Sequence, residues 1–147
     1  MSIINMIKVI KQVHKEDVVL VKIGKFYNVY GKDAYIISDL FSYKIKQIED
    51  NVCNCGFPEA SLNKVMAKLE HEKINYIVVD KRNNYSKDEQ CDNKNLNRYI
   101  KAYEKAHKNI AYKIRIERIN QCLLSYPDKE KLRSILGKME DIIKDIA

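Results

Sequence analysis

The sequence predicts an α+β fold: a mixed β-sheet flanked by helices, followed by a C-terminal helical hairpin. Three observations lead there. Val18-Val19-Leu20-Val21-Lys22-Ile23 is apolar and β-branched and runs into Gly24-Lys25, a Gly-X pair suited to a two-residue turn with φ > 0 at its first position, so Phe26 to Tyr30 returns antiparallel. Ile74 to Asp80 reads as a second clear strand, with Tyr76, Val78 and Asp80 on one side and Ile77 and Val79 on the other. From Leu96 onward every segment carries helical spacing.

The remaining elements follow in chain order. Ser2 can cap a first helix whose Ile3, Ile7, Ile10 and Val13, with Met6 beside them, recur at helical spacing to about His14. After the hairpin, Gly31 to Asp33 starts a helix with Ala34, Ile37, Leu40 and Phe41 on one face, and Tyr43 to Ile48 suits a short strand. Asn51 to Phe57 reads as a polar turn leading into a strand. Pro58 falls just before or within the first turn of a further helix, where its missing N–H costs little, and Leu62, Val65, Met66 and Leu69 form its buried stripe. Residues 82–95 are polar enough to be a linker with at most a two-residue strand near Tyr85.

Beyond that linker, Leu96, Tyr99, Ile100, Tyr103, Ala106, Ile110 and Ile114 share one helix face, while Lys94, Arg98, Lys101, Lys105, Lys108 and Arg115 lie nearly opposite. Past Ile114 the apolar face shifts to Tyr112, Ile116, Ile119, Leu123 and Tyr126, which predicts a kink, a break near Asn109 to Ala111, or a second packing partner. Pro127-Asp128 ends that helix and caps the last one. There Leu132, Ile135, Leu136, Met139, Ile142, Ile143 and Ile146 make a continuous stripe. The expected organisation is an α/β module over 1–93 and a helical extension over 94–147.

Composition sets the outer bounds. A chain of 147 residues fits one ordinary domain, or a small one with an appendage, and can bury a core without staples. The longest apolar runs are too short and too interrupted to span a bilayer, and Asn5, Lys8 and Lys11 break any signal-peptide pattern, so no membrane partner and a cytoplasmic location are expected. Cys53, Cys55, Cys91 and Cys122 lack paired C-x-x-C spacing. A metal held by Cys53 and Cys55 with Cys91 and His71 is the outside alternative to plain thiols, and no cofactor is expected.

The net charge of +7 is uneven. Residues 1–93 carry 14 basic and 13 acidic side chains, residues 94–118 carry 8 and 2, and residues 119–147 carry 5 and 5. Lysines outnumber arginines 22 to 5, which codon bias in an AT-rich genome would produce unaided. Position is more informative than total: the excess sits on one helical segment, as it would on a nucleic-acid-binding face, although charges opposite a core are commonly just solvated.

Lys22-Ile23-Gly24-Lys25-Phe26-Tyr27-Asn28-Val29-Tyr30, continuing through Gly31-Lys32-Asp33-Ala34-Tyr35, resembles the mismatch-reading hairpin of the MutS family. The similarity resumes at Gly56-Phe57-Pro58-Glu59-Ala60-Ser61-Leu62-Asn63-Lys64-Val65-Met66-Ala67-Lys68-Leu69. It covers roughly Asp17 to Lys81. The resemblance implies a first domain of MutS in which the Phe of a Phe-x-Glu motif enters beside a mispaired base. Phe26 would be that wedge, and Asn28 would stand where the family has Glu. Lys22, Lys25 and Lys32 would surround the hairpin within reach of phosphates, with Arg98, Lys101, Lys105 and Lys108 as a further basic stripe. Replacing an acceptor-only carboxylate by an amide that can donate or accept puts mismatch discrimination in question.

The expected function is therefore non-catalytic recognition of mispaired or distorted double-stranded DNA. No G-x-x-x-x-G-K-[ST] loop accompanies the four glycines, and His14, His71 and His107 are scattered, so no enzyme is predicted; Asp39, Glu49, Asp80 and Lys81 form no convincing nuclease set. The rival is a protein-interaction or dimerisation module on the same scaffold, homodimeric or bound to another protein through the C-terminal helices, with no DNA binding.

Overall fold

A computed structural model describes residues 2–47, 52–92 and 96–146. Ile48, Glu49, Asn51, Lys94 and Asn95, which the sequence reading used, lie outside these, as does the side chain of Ile114. Two compact units, Met1–Ile110 and Ala111–Ala147, make up the chain.

The first unit contains α1 (Ile3–Val13), β1 (Val18–Ile23), β2 (Phe26–Tyr30), α2 (Lys32–Phe41), β3 (Ile45–Gln47), β4 (Cys53–Pro58), α3 (Leu62–His71), β5 (Tyr76–Asp80), β6 (Ser86–Cys91) and the first turns of α4 (Tyr99–Leu124). Its sheet is mixed, in the order β3-β4-β2-β1-β5-β6. Only the β1–β5 pair is parallel; the other neighbours run antiparallel.

Alternation in the strands divides the core into two layers. Val18, Leu20, Tyr27, Val29, Cys55, Phe57, Tyr76 and Val78 face one way and pack with Ile36, Ile37, Val65, Leu69, Tyr99 and Ala106 of α2, α3 and α4. Val19, Val21, Ile77 and Val79 face the other way and pack with Ile7 of α1. The helix starts agree with the sequence: Ser2 Oγ accepts from the backbone N–H of Asn5, and Gly31 enters α2 at φ +61, outside the range that suits a side chain.

A buried carboxylate ties these layers together. Asp33, 1% exposed, accepts from the Tyr99 hydroxyl and from Lys11 Nζ at 2.9 Å on one oxygen, and from the Val19 N–H at 3.0 Å on the other. Burial raises the Asp33 pKa, while Lys11 and the hydrogen bonds work against that shift. Burial likewise raises the Tyr99 phenol, with the Asp33 charge adding to it.

One expectation is overturned. Residues 86–91 are not linker but a six-residue strand, β6, paired with β5 through a bulge near Val78 and Val79. Its Ser86, Lys87, Asp88, Glu89 and Gln90 are all exposed, so no apolar alternation announces it. Backbone pairing to β5 makes this edge strand, and charged side chains keep the edge from templating another chain. The chain reaches it through Asn84 and Tyr85, both left-handed at φ +53 and +58.

The second unit holds the rest of α4 and α5 (Lys129–Ile146). α4 runs unbroken through Asn109 to Ala111, so the slip of its apolar face marks the passage between units rather than an end of helix. Asp128 caps α5, accepting from the N–H groups of Glu130 and Lys131 at 3.1 and 3.2 Å.

Candidate nucleic-acid interface

The hairpin is a short stiff finger. Gly24 makes the turn at φ +62, and Ile23 pairs with Phe26, Lys22 with Tyr27 and Val21 with Asn28. On its other edge β2 is paired along its whole length with β4, Phe26 opposite Pro58 and Asn28 opposite Gly56. The Glu59 N–H donating to the Lys25 carbonyl at 2.9 Å fastens the tip.

The strand period of two then decides what each side chain does. Tyr27 and Val29 point into the core, 5% and 0% exposed, and the Tyr27 ring stacks on Phe57 at 5.6 Å. Phe26 points the other way and is 55% exposed. α1 covers β1 and β5 on that side, leaving Phe26 and Asn28 to border an open groove of about 540 Å³ shared with Ile23, Tyr43, Lys44, Lys46, Asn54 and Gly56. Asn28 Oδ1 accepts from Asn54 Nδ2 at 3.2 Å. Gly56 makes this arrangement fit, since a Cβ there would meet Asn28 Oδ1 at 3.2 Å.

The lysines expected around the hairpin are dispersed. Lys25 is exposed at the turn. Lys22 lies on the opposite face from Phe26, 3.7 Å from Glu59 and near Asp80. Lys32, at the start of α2, sits 5.2 Å over the Tyr103 ring.

Arg98, Lys101 and Lys105 line a separate groove with Asp39 and Glu72 on the helix-covered side of the sheet; Lys108 is exposed on the same helix. The Glu72 carboxyl there is held below the usual range by its hydrogen bond from Lys68. Tyr99 and Ala106 pack this part of α4 against the face opposite Phe26. Finger and basic stripe therefore do not converge.

Sequence reasoning missed Lys44, Lys46, Asn54 and Gly56, which the structure does bring beside Phe26 and Asn28. The alternation of Cys-Asn-Cys-Gly-Phe in β4 carries the signal for Asn54 and Gly56. Without the β3–β4 register, Asn54 opposite Lys46, nothing connects the lysines to the finger.

The cysteines stay inside or beside the sheet except one. Cys55 is buried, Cys53 and Cys91 are half-buried, and Cys122 is exposed. Among the described residues no three His, Cys, Asp or Glu side chains gather as a metal set. No helix among them is long and apolar enough to cross a membrane.

An exposed aromatic ring thus stands on a hairpin braced on both edges by the sheet, beside a polar groove. The MutS domain I family model matches residues 2–110, and the chain belongs to that family. Membership makes the first unit a mismatch-recognition-like domain, of a kind that serves recognition and carries no catalysis. No curated protein matches the sequence.

Proposed function

We propose that this protein reads mispaired or distorted duplex DNA non-catalytically, with Phe26 as the wedge and Asn28 as the polar probe beside it. The observation that carries this reading is the 55% exposure of Phe26 on a strand whose next residue, Tyr27, is 5% exposed. A wedge must stand clear of its own core yet be rigid, because ordering a floppy side chain would cancel what base stacking returns. Unstacking a step costs a few kcal/mol, less where pairing is already lost, and aromatic stacking returns roughly 1–3 kcal/mol.

Asn28 gives the reading its chemical direction. With Oδ1 already accepting from Asn54, the Asn28 NH2 group would be the donor for acceptor edges such as thymine O4 or guanine O6. Lys44 and Lys46 are the cations that border the same groove and would hold phosphates, whereas Lys25, which lines a separate groove with Lys22, and Arg98, Lys101, Lys105 and Lys108 would serve another stretch of backbone or none.

Fluorescence titration of mismatched against perfect duplex, at two salt concentrations, tests the proposal. Mismatched duplex is expected to bind more tightly. Phe26→Ala should remove the preference with the fold intact, and Lys44→Gln with Lys46→Gln should weaken both duplexes alike and flatten the salt slope by roughly 2. Equal binding of both duplexes by the native chain would end the wedge reading. No duplex binding at low salt would leave the scaffold to protein interaction.

A further inference from the structure

α5 is an 18-residue helix that buries none of its residues. Its apolar residues fall within a single arc of roughly 120° at 100° per residue. Leu132, Ile135 and Met139 at the first end are half-buried, but Leu136, Ile142, Ile143 and Ile146 are 38%, 59%, 63% and 81% exposed. A unit of Ala111–Ala147 falls below the roughly 40 residues at which a chain can sustain its own core without metal, disulfide or oligomerisation. The stripe calls for a cover.

The distribution of charge along α5 says what the cover is. Over 129–138 the helix carries Lys129, Lys131, Arg133 and Lys138 against Glu130 alone; over 139–146 it carries Glu140, Asp141 and Asp145 against Lys144 alone. Basic start and acidic end make α5 complementary to itself reversed. A second α5 laid antiparallel sets Lys131 near Asp145 and Arg133 near Glu140 of the other copy, twice over by the two-fold axis, while a parallel pair sets like charges together.

We infer that the chain is a homodimer joined by antiparallel pairing of α5, each copy covering the other's Ile142, Ile143 and Ile146. The pairing goes beyond the DNA reading and does not depend on it. It would give one molecule two Phe26 fingers.

Sedimentation equilibrium of the full chain without DNA tests this. A dimer is expected, weakened at least tenfold by Ile142→Asp. Reversing the acidic end (Glu140→Lys, Asp141→Lys, Asp145→Lys) or the basic end (Lys129→Glu, Lys131→Glu, Arg133→Glu) should each give monomers with unchanged circular dichroism, and mixing the two variants should restore dimers. In a Cys122→Ser background, a Lys131→Cys chain should cross-link to an Asp145→Cys chain and not to itself. A monomeric native chain, charge variants that stay dimeric, or self-linking through position 131 would overturn the pairing.

Discussion

Phe57 and Phe26 stand on neighbouring strands of one sheet, in β4 and β2, yet one is 1% exposed and the other 55%. Their chemistry is the same; the face differs. Phe57 is stacked with Tyr27 at 5.6 Å and Tyr43 at 5.9 Å under α2 and α3, while Phe26 projects past the reach of α1. One aromatic residue packs the inner face of the sheet and the other is left at the surface. Under the proposed reading, stability and recognition are separable on this hairpin, substitution by substitution.

The sharpest break in that contrast is Phe57→Ala, which should cost about 3–5 kcal/mol of unfolding free energy in urea melts, the usual toll of a large buried aromatic. A cost under about 1 kcal/mol would mean that the inner face is not packed.

Thiol chemistry probes the same face without mutation. Burial pushes the Cys55 thiol up to about 11, so it stays protonated through neutral and mildly basic pH, with about a hundredfold less thiolate than an ordinary thiol. Brief iodoacetamide treatment at pH 8, read by mass spectrometry, should modify Cys122 and spare Cys55 until denaturant is added. Equal labelling of both in the folded chain would contradict the buried β4 face.

Smaller effects belong to the outer face. Phe26→Ala should lower stability by about 1 kcal/mol or less, since half of the ring is already in water. A loss approaching that of Phe57→Ala would place Phe26 in the core and remove the wedge. Gly56→Ala should shift stability by less than about 1 kcal/mol, because the lower chain entropy of Ala offsets the contact of its methyl with the movable end of Asn28, but it should displace that amide and change base preference in the titration. An unchanged preference would separate Asn28 from base reading.

Period and punctuation in the sequence carry most of the first unit. Gly24-Lys25 sets the hairpin, Ser2 sets the first helix start, and alternation along Ile74 to Asp80 sorts that strand correctly between two layers. These signals are local, which is why a sequence shows them. β6 was illegible because an edge strand is defined by its neighbour: Lys87 to Gln90 are exposed and join the sheet through backbone pairing with β5.

The candidate site divides the same way. That Phe26 and Asn28 share a face follows from a period of two and needs no fold. Tertiary structure alone decided that the face is uncovered, that Lys44 and Lys46 border it through the β3–β4 register, and that the α4 stripe lies on the other side. The physical reason is that local geometry fixes which way a side chain points, whereas packing between distant segments fixes what it meets there.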